Sequence, residues 1–185
     1  MIIGITGTLG AGKGTIVRYL QEHGFRHLSV RAYLAEEITA RGLEVNRDTL
    51  TAVGNELRAA NSPAYIAEQL FEKARLTGKD TIIESIRSVG EVEALRKQKD
   101  FYLFAVDCDI RTRYDRIVQR RSETDRVDFQ TFKANEEREM HSDDPSKQNL
   151  SHCIVLADYC FDNSGDLDSL NKQIEVVLEE IRNAD

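Results

Sequence analysis

The most informative segment of the sequence is a glycine-rich stretch between residues 7 and 15. Its four glycines allow the backbone to curl so that successive N–H groups face one anion. Lys13 adds an ammonium group that can reach the β- and γ-phosphates of a nucleotide, and the hydroxyl of Thr15 can bond an inner phosphate. The segment therefore predicts a phosphate-binding loop whose contacts come from Gly7, Gly10, Ala11, Gly12, Lys13, Gly14 and Thr15.

One position of this loop departs from the commonest pattern. Phosphate loops usually carry serine or threonine directly after the lysine, where the hydroxyl holds Mg²⁺. Here Gly14 occupies that place and Thr15 follows. The resulting Gly-Lys-Gly-Thr order resembles the loop of adenylate kinase and its nucleoside-monophosphate kinase relatives. The resemblance implies ATP as the phosphoryl donor, with Mg²⁺ held by the nucleotide phosphates and by waters rather than by the loop.

A second candidate group follows the β-rich run that begins at Asp80. This run ends in Glu84, and Arg87 comes three residues later. A carboxylate at a strand end beside a phosphate loop can offset phosphate charge through a metal ion. The monophosphate kinases, which the chain resembles, carry Asp-Gly-x-Pro-Arg here. Although glutamate replaces aspartate and the glycine and proline are absent, the resemblance implies that Glu84 reaches Mg²⁺ through a water and that Arg87 binds the acceptor phosphate.

Arginine is concentrated in the segment between residues 111 and 126. Three of these arginines, at positions i, i+3 and i+7, share one face of a predicted helix: Arg113, Arg116 and Arg120. A planar guanidinium stays charged and can bind two phosphate oxygens, so we expect Arg116 and Arg120 to act in catalysis. A solvent-exposed helix is the simpler interpretation for Arg111 and Arg121, and Arg126 is a weaker candidate. By resemblance to related kinases, residues 120–150 are expected to form a lid.

The binding site for an acceptor is expected between residues 47 and 78. Arg47 and Arg58 are eleven residues apart, about three helical turns, and so share a helix face that can bind an anion. A surface helix can present the same pattern. In monophosphate kinases a helical insertion in this region closes over the acceptor, which implies that Arg47, Arg58 and Arg87 bind it.

The segments after the second and last predicted strands bear on the class of acceptor. Residues 157–165 resemble the C-terminal Ala-Asp-x-x-x-x-Asn-Ser-Gly of dephospho-coenzyme A kinase, which implies that Asn163 and Gly165 contact the adenine. That enzyme phosphorylates a hydroxyl and carries an aspartate after its second strand. This chain has no carboxylate between Gly24 and Ala35, which favours an acceptor that is already a phosphate, although Glu36, Glu37 or Asp48 remain alternative bases.

Short β-rich runs alternate with amphipathic stretches along the whole chain. These stretches predict helices at Lys13–His23, Ala32–Arg41, Arg47–Ala60, Pro63–Thr77, Val89–Lys97, Ile110–Arg121, Asp128–Met140 and Leu167–Ile181. This alternation predicts a single α/β domain, residues 1–185, with a five-stranded parallel sheet between two layers of helices. Ligands bind such sheets beyond the carboxyl ends of the strands, where the candidate residues above are expected to converge. The predicted strands are Met1–Thr6, Arg26–Ser29, Asp80–Glu84, Phe101–Asp107 and Tyr159–Asp162. The resemblance implies the three-layer fold of P-loop nucleotide-binding proteins.

Composition limits the range of partners. A net charge of −7 argues against a nucleic-acid-binding protein, and no apolar run is long enough for a membrane span. The apolar opening stops at Gly4 without a basic leader, so no signal peptide is predicted. Cys108, Cys153 and Cys160 have no metal-ligand spacing, which favours reduced thiols and a cytoplasmic location. The sequence leaves the oligomeric state open.

These features support one leading hypothesis and two alternatives. The leading hypothesis is ATP-dependent phosphoryl transfer to a small nucleotide, with ATP and Mg²⁺ as cofactors. Kinase action on a hydroxyl, as in dephospho-coenzyme A kinase, and a nucleotide-binding switch or weak ATPase without an acceptor are the alternatives. The chain most resembles archaeal and bacterial relatives of adenylate kinase, which share Ile86-Arg87-Ser88 and Ala157-Asp158-Tyr159.

Overall fold

A computed structural model describes residues 1–120, 128–144 and 147–184, without the side chains of Arg47 and Arg120. Five parallel strands form one sheet in the order β2-β3-β1-β4-β5. The strands are β1 (Ile2–Gly7), β2 (Arg26–Ser29), β3 (Thr81–Glu84), β4 (Phe101–Asp107) and β5 (Tyr159–Asp162). They match the predicted β-rich runs within one residue at either end. The α/β fold with a five-stranded parallel sheet is confirmed.

The helices lie on both faces of this sheet. One core cluster joins the sheet to α1 (Lys13–Glu22) and α9 (Leu167–Ala184). The opposite cluster contains residues of five other helices: α2 (Val30–Ala40), α3 (Arg47–Ala60), α4 (Tyr65–Thr77), α5 (Val89–Arg96) and α8 (Leu150–Val155). The remaining two helices follow β4: α6 (Ile110–Arg120) and α7 (Phe129–Met140).

Neighbouring side chains of a strand pack alternately in the two core clusters. Ile2 packs in one cluster and Ile3 in the other, and Leu103 and Phe104 of β4 divide in the same way. Successive side chains of a strand point to opposite faces, so a strand buried on both faces is apolar throughout. All six residues of β1 are buried, as expected for the central strand of the sheet. The phosphate loop therefore follows the most deeply buried part of the sheet.

Side-chain caps fix where several helices begin. The hydroxyl of Ser29 accepts from the backbone N–H of Ala32, so α2 begins at Val30, two residues before the predicted start. Asp166 accepts from the N–H of Ser169 at 2.8 Å and begins α9 as predicted. Helix α8 was not predicted.

No helix in residues 1–120, 128–144 and 147–184 combines the length and the apolar character that crossing a membrane requires.

Candidate functional site

The predicted phosphate loop connects the end of β1 to the start of α1. Gly7, Gly10 and Gly12 have φ angles of 140°, 80° and 108°, which side chains rarely adopt. Helix α1 begins at Lys13, so its first free N–H groups and the positive end of its dipole face the loop. The backbone thus provides the anion-binding geometry that the glycine spacing predicts.

Close neighbours, as well as backbone angles, require glycine at these positions. A Cβ at Gly7 would lie 2.2 Å from the carbonyl oxygen of Val106, and one at Gly12 would lie 2.1 Å from Nδ2 of Asn163. A Cβ at Gly14 has no atom within 4 Å. The loop is therefore packed against β4 and the segment after β5, whereas Gly14 faces open space.

The ammonium group of Lys13 lies within the loop. Its Nζ donates to the carbonyl oxygens of Gly7 at 2.7 Å and Thr8 at 2.8 Å. These contacts hold the positive charge beside the backbone amides that are expected to face phosphate. A bound nucleotide competes with these two carbonyls for the same ammonium.

Asp107, which the sequence analysis did not select, contacts this loop from the end of β4. Its Oδ1 accepts from Oγ1 of Thr8 at 2.6 Å and from the N–H of Cys108 at 2.9 Å. Strand β4 is the neighbour of β1, and Asp107 is its last residue. The rule that strand-end residues converge was the signal that could have identified this carboxylate.

Glu84 occupies the equivalent strand end on the other side of β1. Its Oε2 lies 3.0 Å from Nε2 of His27 on β2, a pairing that the sequence analysis did not anticipate. The hydrogen bond with His27 is the main cause that lowers the pKa of Glu84, although burial opposes it; the positive charges of Lys13 and Arg87 also contribute. Glu84 is therefore held as a carboxylate beside the loop.

Arg87 and Arg58 line one large cavity of about 630 Å³ next to β3. Asn55 of α3 and Arg31 of α2 line the same cavity, and the latter was not predicted. The volume falls within the range of roughly 300–1,000 Å³ that is typical of small-molecule sites. The structure thus brings together two of the three predicted acceptor-binding residues; the side chain of the third, Arg47, lies outside the described residues.

Two features hold Arg87 at the edge of this cavity. Its Nη1 donates to Oε1 of Gln148 at 3.3 Å and lies 3.7 Å from Oε2 of Glu139 on α7. Ser85, between Glu84 and Arg87, has a φ of 77° and also lines the cavity. Such backbone strain in a non-glycine residue is concentrated at functional sites.

A second cavity of about 360 Å³ is lined in part by the phosphate loop itself. Its lining includes the predicted catalytic residue Arg116 and five predicted nucleotide-binding residues: Gly10, Gly12, Thr15, Asn163 and Gly165. Asn163 is buried and its Nδ2 donates to the carbonyl oxygen of Ala11 at 2.7 Å, while Nη2 of Arg116 donates to the carbonyl oxygen of Asn163 at 2.8 Å. The segment after β5 is thereby fixed against the phosphate loop.

Arg113 has a different environment from Arg116. Its side chain is 6% exposed and forms an ion pair with Glu136 of α7. It also donates to the carbonyl oxygens of Cys108 at 2.9 Å and of Leu9 at 3.3 Å. Arg113 therefore links the phosphate loop to α7. The other candidates of this segment, Arg121, Arg126 and the side chain of Arg120, lie outside the described residues.

A metal ion fits this site only together with nucleotide phosphates. Across the described parts of the chain, no group of three or more His, Cys, Asp and Glu side chains could hold a metal ion alone. Glu84 and Asp107 end the two strands that flank β1, and hard cations prefer such carboxylate oxygens and water. These two side chains suit a hydrated Mg²⁺ that is held mainly by phosphate oxygens.

Comparison with known families agrees with this geometry. A family model described as an AAA domain matches residues 3–142. The UPF0200 protein of Methanocaldococcus jannaschii is 30% identical, in an alignment that covers 99% of this chain and 91% of that protein.

Solved structures with the same fold include several kinases. TT1252 from Thermus thermophilus superposes with a TM-score of 0.64 at 19% identity, covering 97% of both chains. Shikimate kinase from Bacteroides thetaiotaomicron gives 0.61 at 13% identity, covering 97% of this chain and 98% of the enzyme. Dephospho-CoA kinase from Campylobacter jejuni gives 0.54 at 13%, covering 97% and 96%. At these identities the likeness concerns the fold and not the substrate.

Proposed function

This chain belongs to the AAA-domain family of P-loop proteins and to the UPF0200 proteins, and from that premise we propose that it is an ATP-dependent kinase for a small nucleotide. One observation carries the proposal: the phosphate loop lines one cavity, and a second, larger cavity lies beyond the end of β3, the strand next to β1. The smaller cavity suits the adenosine of ATP, and the larger suits an acceptor. A switch that binds only ATP needs no second cavity of this size.

Strand order supports this division of roles. The larger cavity includes Ser85 and Arg87, which follow β3, and the smaller includes Asn163 and Gly165, which follow β5. Because β1 lies between these strands, the loop that lines the smaller cavity begins between the two sets of lining residues. Residues 47–78 then form the acceptor side, and residues 120–150 contribute a lid that excludes water, as related kinases suggest.

In the proposed reaction, the chain binds and orients two anionic substrates. Loop amides and Lys13 bind the polyphosphate of ATP, while Arg58 and Arg87, with Arg47, bind the acceptor. An acceptor phosphate oxygen bonds to the γ-phosphorus as the bond from that phosphorus to the β,γ-bridging oxygen breaks, and ADP leaves. Any proton on the attacking oxygen passes to water. Arg87, Arg116 and Arg120 neutralise charge around the transferred group.

Mg²⁺, when bound with ATP, supplies further neutralisation of the β- and γ-phosphate oxygens. Glu84 and Asp107 are the side chains that would orient its water ligands. Because the hydrogen bond with His27 lowers the pKa of Glu84, this side chain remains ionised at neutral pH.

The end of β2 disfavours the hydroxyl-kinase alternative. Ser29 stands there, and its hydroxyl is used to cap α2. A phosphate acceptor needs no general base because its oxygens are already nucleophilic. The acceptor is therefore proposed to be a nucleoside phosphate.

The test is ADP formation from ATP and Mg²⁺ with each nucleoside monophosphate and with dephospho-coenzyme A. We expect ADP formation that depends on a monophosphate, and we expect Lys13→Ala to weaken ATP binding about 10- to 100-fold because one charged contact is lost. Lys172→Ala is the matched control, because Lys172 is an exposed lysine of α9 that lines neither cavity. Unchanged ATP affinity in a folded Lys13→Ala protein would contradict the proposal, and ATP binding without acceptor-dependent ADP would favour the switch.

A further inference from the structure

Helices α2 and α3 carry arginines in two contrasting environments. Arg41, which ends α2, bonds Glu37 of α2 through Nε at 3.0 Å and Glu56 of α3 through Nη1 at 3.0 Å. Arg41 does not line the large cavity. Glu37 and Glu56 are therefore bonded to an arginine that does not line the cavity.

Arg31 of α2 and Arg58 of α3 both line the cavity. Within the part of the chain that the structure describes, neither guanidinium has a hydrogen bond or an ion pair. Arg31 is exposed and Arg58 is half-buried. In a chain of net charge −7, two arginines that face one cavity without acidic partners form a local excess of positive charge.

The other charged residues that line the cavity increase this excess. Arg87 and Lys147 are cationic, and their acidic neighbours do not line the cavity: Glu139 lies 3.7 Å from Arg87 and Asp144 lies 3.8 Å from Lys147. Among the described residues, Glu91 is the one carboxylate that lines the cavity. Its Oε2 already accepts from the backbone N–H groups of Arg87 and Ser88.

One phosphate group does not account for this arrangement. Arg87 follows β3 beside the phosphate loop, where the phosphate that is phosphorylated must lie. Arg31 and Arg58 line the same cavity from other elements, α2 and α3. Because a guanidinium binds phosphate through two parallel hydrogen bonds, this pair can bind a second anion.

We propose that the acceptor is a nucleotide with two separate phosphate groups, one placed at Arg87 to receive the phosphoryl group and the other bound by Arg31 and Arg58. This inference rests on the proposed kinase function and specifies its substrate class. Val30, Leu34 and Leu50 supply apolar surface for the nucleoside between the two anions.

The experiment compares nucleotide binding by calorimetry in a buffer free of phosphate and sulfate. The probes are adenosine, guanosine, cytidine and uridine, each as the 5′-monophosphate and as the 3′,5′-bisphosphate, so that the result does not depend on the base. For at least one base we expect the bisphosphate to bind about 10-fold more tightly, the effect of one added charged contact. Arg31→Gln and Arg58→Gln each reduce that preference, and Arg58→Lys retains part of it.

Arg41→Gln is the matched control, because it removes an arginine of the same helices outside the cavity. It should leave the preference unchanged. Equal affinity for monophosphate and bisphosphate with all four bases overturns the inference, as does a preference that Arg31→Gln and Arg58→Gln leave intact. ATP binding and ADP formation are measured in parallel. Monophosphate-dependent ADP formation with no bisphosphate preference rejects this inference alone, whereas bisphosphate preference without ADP formation supports the anion site and rejects the kinase.

Discussion

At the level of single residues, the phosphate loop contains two glycines with opposite requirements. Gly12 has a φ of 108°, and a Cβ there would lie 2.1 Å from Nδ2 of Asn163, which itself donates to Ala11. Gly14 lies in the first turn of α1, with no neighbour that a Cβ would meet. Backbone conformation and close packing therefore both exclude a side chain at position 12, whereas neither excludes one at position 14.

Substituting each glycine by alanine separates these two cases. We expect Gly12→Ala to lower the free energy of unfolding by about 1–3 kcal/mol and to weaken ATP binding, because the loop must shift away from Asn163. Gly14→Ala should raise the free energy of unfolding by up to about 1 kcal/mol, since alanine favours helix. Urea denaturation and ATP titration measure both effects. Similar behaviour of the two variants would contradict the geometry described here.

The pair His27 and Glu84 predicts a dependence of stability on pH. Because the pKa of Glu84 is lowered in the folded chain, its ionisation contributes stability above the ordinary value of 4.5. That contribution is lost as the pH falls through the lowered pKa. In His27→Ala the main cause of the lowering is absent, so the shift of the pKa of Glu84 and the stability that it contributes should both be smaller.

Thermal denaturation between about pH 3 and pH 7 measures this shift. Glu84→Gln is the control, because an amide does not titrate in this range and the variant should lack this part of the pH dependence. Identical stability profiles for the native protein and His27→Ala would show that the hydrogen bond has no such role.

At the level of elements, α7 is joined to α6 and to the phosphate loop. Phe129 and Phe132 of α7 pack on Tyr114 of α6, at ring-centroid distances of 5.3 and 5.6 Å. The ion pair of Arg113 and Glu136 lies beside these rings, and Arg113 also contacts the loop carbonyl of Leu9. A displacement of α7 is therefore transmitted to the loop through one buried arginine.

Removal of Glu136 tests this connection. Glu136→Ala leaves Arg113 buried without its main counter-charge, and we expect a loss of about 3 kcal/mol of stability together with weaker ATP binding. Glu137→Ala is the matched control: Glu137 is exposed and lies 4.0 Å from Nζ of Lys133, so the change should stay within about 0.5 kcal/mol. The connection is absent if both variants bind ATP as the native protein does.

The sequence was sufficient for elements whose pattern is local. Strand β4 is an apolar run that ends in Asp107, and α9 repeats apolar residues at three- and four-residue steps, so both were predicted. Helix α8 has six residues, too few to show a helical repeat, and was missed. Its Cys153 lies in the core, so tertiary packing rather than periodicity selects this helix.

The site residues also divide into those that a local sequence pattern predicts and those that depend on tertiary contacts. The phosphate loop is continuous in sequence, and its glycine spacing was enough to predict it. Contacts across distant segments were not predictable: His27 meets Glu84 across 57 residues, and Thr8 meets Asp107 across 99. The role of Arg113 depended on Glu136 of α7, a partner that no spacing rule indicates.

At the level of the whole molecule, the sheet separates two hydrophobic cores, and residues that follow its strands line both cavities. β1 contributes to both cores and ends in the phosphate loop, with β3 on one side and β4 on the other. Loss of packing in either core therefore disturbs the loop. Stability and nucleotide binding should decline together on denaturation.

Cys153 provides a probe for this global unfolding. It is fully buried, and burial raises the pKa of its thiol to about 12, so it should not react with a thiol reagent in the native protein. Exposed Cys160 and half-buried Cys108 should react without unfolding. Thiol titration with and without urea counts the reactive groups. Rapid reaction of all three cysteines in the native protein would place Cys153 outside the core.

The guanidinium groups of Arg31 and Arg58, which have no partner among the residues that the structure describes, also affect the choice of buffer. Inorganic phosphate and sulfate are tetrahedral oxyanions that present the same oxygen geometry as a phosphate ester. Salts of these ions, common in purification and crystallisation, would compete for the cavity and reduce the measured affinity for any acceptor. Zwitterionic buffers with chloride salts are the appropriate medium for identifying the substrate.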